Sequence, residues 1–192
     1  MTTDLADRFA RIAPYEVGGS GATFSTCRWY RYRLWRGWGD PDRRLAVIGL
    51  NPSTADESDD DPTIRKCRGF AQRMGLGALD MLNLFAWRST DPIGLLDAAD
   101  PVGPENDDAI HKTCVGAVVL CAWGSHRKSG TVARLVATRA MAVRFVIAKA
   151  KPRRVIVLKW NADANPKHPL YARYDSELIE WPNAGIDLGG AP

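Results

Sequence analysis

The sequence predicts an α/β fold in three layers, α/β/α, with a central four-stranded parallel sheet and an additional N-terminal antiparallel strand or hairpin. Three observations lead there. Apolar runs of strand length alternate with segments of helical periodicity, the order that a parallel sheet with crossover helices produces. Each apolar run ends abruptly in a polar turn. The chain of 192 residues, 45% of them apolar, is long enough to bury one substantial core and short enough to form one domain.

Residues 1–22 carry a short amphipathic segment (Leu5, Phe9, Ile12) and end in GGSGA, so a flexible N-terminal segment is expected ahead of a single domain over 23–181. The stretch TFSTCRWYRYRLWRGWG alternates with period two: Arg31 and Arg33 share one face, Tyr30, Tyr32 and Leu34 the other, which predicts a strand with a basic face. A turn at Gly39-Asp40-Pro41-Asp42 leads into LAVIG, the first parallel strand, and Asn51-Pro52-Ser53-Thr54 takes the chain out of it. Asp61-Pro62-Thr63 offers a helix start, and Ile64, Cys67, Phe70, Ala71 and Met74 recur at helical spacing until Gly75. The second strand, ALDMLNLF, runs into Ala86-Trp87-Arg88-Ser89. After a proline-rich acidic loop come a short helix, PENDDAIHKTC, and a third strand, VGAVVLCAW, ending at Gly124-Ser125-His126. Helical periodicity over 130–147 precedes the fourth strand, RVIVLKW, and residues 182–192 read as C-terminal coil.

Crossovers in such a sheet share one hand, so all four strand ends point the same way. Ligands of open α/β sheets bind beyond the carboxyl ends of the strands. Asn51, the segment Asn83 to Arg88, Trp123 to His126 and Asn161 to His168 are therefore expected to converge on one rim. Each has a plainer reading beside the functional one. Asn51-Pro52 also fits a tight turn with an Asx hydrogen bond, and Asn83 a buried amide satisfying backbone groups. His111 reads as structural, His126 as a second candidate beside His168, and most of the seven Trp as core or edge cover, with Trp123 placed to touch a ligand.

The formal net charge is +4, and its distribution is uneven. Ten Lys or Arg and no acid lie between Arg127 and Lys159, while Asp56, Glu57, Asp59, Asp60 and Asp61 form an acidic knot. Cys27, Cys67, Cys114 and Cys121 are widely spaced among apolar neighbours, so buried thiols are expected and neither a metal site nor a cofactor. No apolar stretch reaches membrane-spanning length and MTTDLADRF lacks a signal-peptide core, which predicts a soluble, cytoplasmic protein, expected as a monomer.

GLNPS after the first strand, the Asn within MLNLF, the Gly of AWGSH and the late HPLY together resemble the uracil-DNA glycosylase superfamily, closest to its mismatch-specific branch. Through YRYRLWRGW, LNPSTAD, DDPTIRKCRGFA, NLFAWR, DPVGPEND and HPLY, residues 28–173 also resemble an uncharacterised bacterial and phage family, domain of unknown function (DUF) family 1643. The superfamily resemblance implies a uracil-DNA-glycosylase-like fold and a set of roles. Asn51 matches the position that holds the attacking water, Pro52 and Ser53 the loop beside the abasic sugar, and Asn83 the amide that reads the flipped base. His168 matches the histidine that donates to the leaving base, with Pro169, Leu170 and Tyr171 where that motif enters the duplex. The sequence departs from the pattern in having HPL for HPS, Ser53 for a glycine, and no paired cysteines for an iron–sulfur cluster.

On that resemblance the expected activity is a monofunctional DNA glycosylase acting on a flipped uracil, mispaired or modified base, hypermodified phage cytosine in antiphage defence included. Trp87, Trp123 and Gly124 would border the base, and Arg31, Arg33, Arg88, Arg127 and Lys167 would meet phosphates of duplex or single-stranded DNA. Asn51 can orient water but cannot take its proton, so leaving-group stabilisation must do much of the work, with Asp56 or Asp61 as a candidate carboxylate nearby. Two other functions fit the same residues: a DNA-binding module without catalysis, and an N-glycosidase of free nucleotides.

Overall fold

A computed structural model describes residues 19–53, 60–126 and 129–186. Seven strands form one mixed sheet: β1 (Ser20–Phe24), β2 (Arg31–Gly37), β3 (Arg44–Gly49), β4 (Ala78–Asn83), β5 (Val118–Cys121), β6 (Arg154–Val157) and β7 (Ile179–Glu180), in the order β1-β2-β4-β3-β5-β6-β7. The neighbours β4, β3, β5 and β6 pair parallel. The hairpin β1-β2 adds antiparallel strands at one edge, through β4, and β7 adds one at the other. The sheet is thus wider than the four strands the sequence predicts. The expected strand over 23–39 is two, and β7 has no periodic signature because it is only two residues long.

Among the described residues, three α-helices cover the sheet. α1 (Pro62–Arg73) starts where the sequence places it, with Asp61 as N-cap accepting from the Ile64 amide and Pro62 in the first turn. α2 (Asn106–Cys114) and α3 (Gly130–Ala150) complete the set, α3 capped by Ser129. The alternation of the strands assigns the faces. Leu45, Val47, Leu79, Met81 and Leu120 pack with Ile64, Cys67, Phe70 and Ala71 of α1. Ala46, Ile48, Leu82, Val119 and Cys121 pack with Ile110 of α2 and Val132, Val136, Val143 and Ile147 of α3. Fully burying each such aliphatic side chain is worth roughly 1.5–3 kcal/mol. The parallel strands are therefore largely apolar on both sides, with Asp80 the buried carboxylate within β4, and most polar groups fall at their ends.

Two boundaries shift. β1 begins at Ser20, inside the stretch expected to be flexible, and residues 182–186, expected as coil, turn back under α3: Ala184 and Ile186 are buried and Arg144 Nε donates to the Ala184 carbonyl at 2.6 Å. The rest of the terminal expectations, on 1–18 and 187–192, lies outside the described residues. Of the four thiols, Cys67, Cys114 and Cys121 are buried and Cys27 is exposed.

The expected basic face of β2 is corrected by its neighbours. Arg33 is buried, its Nε 2.6 Å from Asp80 Oδ1 on the adjoining β4, and Arg44 Nε approaches the same carboxylate at 3.9 Å. Arg36, also buried, pairs with Asp60 at 2.7 Å. The acid-free run is similarly committed: Arg139 pairs with Asp107, Arg154 with Glu180, and Arg144 with two backbone carbonyls. Removing one member of a buried pair leaves the other charge without its partner. Arg33→Ala is expected to lower unfolding free energy by about 3–5 kcal/mol, as measured by urea titration.

Candidate functional site

The chain leaves β3 at Gly49, and the turn beyond it is tied to the segment after β4. Asn51 Nδ2 donates to the Ser89 carbonyl at 2.7 Å and to the Pro52 carbonyl at 3.3 Å, while the Ser89 amide donates to the Pro52 carbonyl at 3.0 Å. Both amide protons of Asn51 are thereby used, and its Oδ1 keeps its acceptor capacity. Two residues on, Ser53 Oγ lies 3.4 Å from Asp61 Oδ2, whose other oxygen caps α1 at 2.8 Å from the Ile64 amide.

At the end of β4, Asn83 explains Gly49. A Cβ on residue 49 would stand 2.8 Å from Asn83 Oδ1, so a glycine there is what lets the amide lie across the strand in this position. Asn83 is only 6% exposed, yet its carboxamide hydrogen-bonds to no described residue and borders a cavity. Buried amides are normally paired, and this one instead opens onto the cavity. Its backbone is fixed from behind. Asn106 Nδ2 donates to the carbonyls of Asn83 and Leu84 at 3.1 and 3.0 Å, and Arg139 Nε donates to Leu84 at 2.7 Å.

The ends of β5 and β6 supply two imidazoles. Gly124, at φ +78°, lets the chain turn where its Cβ would stand 3.3 Å from His168 Cβ. His126 Nε2 donates to the Trp123 carbonyl at 2.8 Å, so a neutral His126 ring keeps Nδ1 as an acceptor. His168 Nδ1 accepts from the Leu170 amide at 3.3 Å, so a neutral His168 ring carries its proton on Nε2. Burial is the main cause pushing the His168 imidazole below its ordinary value; Asp61 opposes the shift and His126 adds to it. His168 is therefore a neutral N–H donor near pH 7.

A cavity of about 380 Å³ brings these groups together: Asn51, Ser53 and Asp61 from the β3 side, Asn83 from β4, Trp123, His126 and His168 from β5 and β6, and Arg31 from β2. Its size suits a small ligand. Burial, with Arg88 nearby, pulls the Arg31 guanidinium down to about 10 against the pull of Asp61, which leaves it charged at neutral pH. A second recess of about 470 Å³ shares Trp123, His126, His168 and Tyr171 and adds Gly124, Ser125, Asn161 and Lys167. Tyr171 stands at the rim of both, 73% exposed, with Leu170 beside it at 43%.

The remaining expected residues lie elsewhere or do other work. Pro52 is buried under the Asn51 turn. Trp87 is not among the cavity-lining residues; its ring packs edge-on against Trp29 and Tyr30 at centroid distances of 5.6 and 5.5 Å. Trp87 thus stands with the aromatics of the β1-β2 hairpin, outside the cavity that holds Asn51, Asn83 and His168. Trp123 lines the cavity but is 2% exposed, and its Nε1 is bonded to Asn165 Oδ1 at 3.1 Å. Arg31 faces the cavity rather than outer solvent, Arg33 is interior, and Arg88 is half-buried over the Phe24 ring with a bond to the Arg28 carbonyl. Lys167 borders the second recess. Arg127 and the acids Asp56, Glu57 and Asp59 lie outside the described residues. Sequence reasoning missed Ser89 and Asn106, whose roles run through backbone carbonyls; only the Asn at the start of PENDDAIHKTC hints at the latter. Among the described residues no group of three His, Cys, Asp or Glu could hold a metal ion.

No curated protein and no solved structure matches the chain. The model of one family, described as "Protein of unknown function (DUF1643)", matches residues 31–170, from Arg31 inside the cavity to Leu170 at its rim. That span is most of the chain and holds every polar group of the cavity except the Tyr171 hydroxyl, and the protein belongs to the DUF1643 family.

Proposed function

We propose that the protein is a monofunctional DNA glycosylase, hydrolysing the N-glycosidic bond of a uracil, mispaired or modified base drawn out of the stack, with hypermodified phage cytosine within that class. The observation that carries this reading is Asn83, a buried carboxamide with no hydrogen-bond partner among the described residues, bordering a cavity it shares with Asn51 and His168. A carboxamide offers one acceptor and one donor side by side, which complements the edge of a nucleobase. Cleavage develops positive charge on the sugar and negative charge on the base. The His168 Nε2–H is a donor for the base, and Asn51 Oδ1 an acceptor that orients water. The resemblance of GLNPS, MLNLF and HPLY to uracil-DNA glycosylase motifs supports the same roles. Leu170 and Tyr171, exposed at the rim, are suited to occupy the gap left by a flipped nucleotide.

A second reading, N-glycosidase of free nucleotides, is favoured by one observation: Arg33, expected to meet phosphate, is buried in an ion pair with Asp80, and Arg36 and Arg139 are likewise buried in pairs within the protein. Salt-titrated affinity for duplex DNA separates the two, since phosphate contacts make binding fall steeply with salt.

The chemistry is tested with end-labelled duplexes carrying uracil, mismatched bases or hydroxymethylated or glucosylated cytosine, followed by alkali to reveal abasic sites. Asn51→Ala and His168→Ala should each reduce base release by roughly 100-fold or more; undiminished release by both variants removes the reading. Gly49→Ala should act on Asn83 rather than on folding. Its Cβ displaces the end of a flexible side chain, so base release is expected to fall at least about 10-fold, one misplaced contact being worth that much, while the thermal midpoint stays within a few degrees of wild type.

A further inference from the structure

Resting on the hydrolytic reading above, we infer that Asp61 is a catalytic residue: its carboxylate takes the proton of the attacking water that Asn51 holds. Hydrolysis requires a proton acceptor on the water's side of the sugar, and the cavity's other groups are poorly suited to it. Asn51 and Asn83 are carboxamides, which orient water but do not take its proton. Arg31 is a cation. His168 has its Nδ1 engaged by the Leu170 amide and presents an N–H. Among the described residues, Asp61 is the one carboxylate that lines the cavity.

Its placement matches the task. The Ser53 hydroxyl, two residues beyond Asn51, lies 3.4 Å from Asp61 Oδ2, and the Ile64 amide holds Oδ1 at 2.8 Å, so the carboxylate is fixed on the Asn51 side of the cavity. Each oxygen still has a second acceptor site. His126 Nδ1 is the other basic atom bordering the cavity, but His126 and His168 also line the second recess, which Asn51, Ser53 and Asp61 do not reach. The cavity is therefore polarised, with acceptors at the β3 end and the His168 donor at the β6 end. The groups charged toward Asp61 are Arg31 from β2 and, when protonated, His168 from the turn after β6.

The step balances without a co-reactant. The water oxygen bonds to C1′ as the C1′–N bond breaks, and the base nitrogen keeps the electron pair, its charge met by His168 Nε2–H. One water proton passes to Asp61 and is returned to solvent, from which the base is protonated. The net change is addition of water across the bond.

Asp61→Asn and Asp61→Ser separate this role from helix capping, since both replacements keep an oxygen for the Ile64 amide. Each is assayed near neutral pH on the duplex from which wild-type protein releases most base, alongside its thermal midpoint. Expected are a wild-type midpoint and a loss of kcat/KM of roughly 100- to 10,000-fold carried by kcat. Wild-type turnover in Asp61→Asn, or a loss confined to KM, overturns the assignment of Asp61 while leaving a glycosylase. Wild-type protein that releases no base from any duplex removes the glycosylase reading itself.

Discussion

Burial of the sheet on both faces is the constraint that dictates where the site can be. β4, β3, β5 and β6 pack apolar side chains above and below, under α1 on one face and α2 with α3 on the other, and the carboxylate within β4, Asp80, is taken up by Arg33. Polar side chains that must meet a ligand can then stand only where the strands stop. The rim is where the chain places Asn51, Asn83, His126 and His168, and at that rim the backbone is spared side chains at the crowded points, Gly49 against Asn83 and Gly124 against His168. A stable core and a polar cavity are two outcomes of one arrangement.

How far the sequence reveals this depends on whether the deciding contact is local. Strand and helix alternation, the Asp61-Pro62 helix start and the four polar turns rest on residues a few positions apart, and they read directly from the chain. The destinations of the arginines do not. Period two in YRYRLWR describes an alternation correctly but says nothing about what stands on the neighbouring strand, and there Arg33 reaches Asp80, forty-seven residues away. The same applies to Trp87, an aromatic at a strand end whose neighbours Trp29 and Tyr30 arrive from the β1-β2 hairpin. β7 escapes because two residues cannot show a period.

The charge pattern changes meaning once partners are known. A net charge of +4 with arginine-rich segments suggests an external surface for polyanions. In the folded chain several of those cations are used to hold the protein together: Arg139 braces the end of β4 through Leu84, Arg144 anchors the turn at 182–185, and Arg154 fastens β7. What remains near the cavity is a small polar set rather than a broad basic face: Arg31 within it, Lys167 in the adjoining recess, and the exposed Tyr171 lining both, next to Leu170.

The turn after β3 also shows why residue 51 is an asparagine rather than an acid. With both Nδ2 protons bound to the Ser89 and Pro52 carbonyls, the Asn51 amide cannot rotate to present a donor, and its Oδ1 is a fixed acceptor. A carboxylate at that position would face two carbonyl oxygens with no proton to give them, an uncompensated repulsion in a half-buried turn. The loop geometry therefore demands an amide at residue 51. Any ionised oxygen in this cavity has to come from another segment, and the N-cap of α1, with a backbone amide already stabilising its charge, is where the fold can tolerate one.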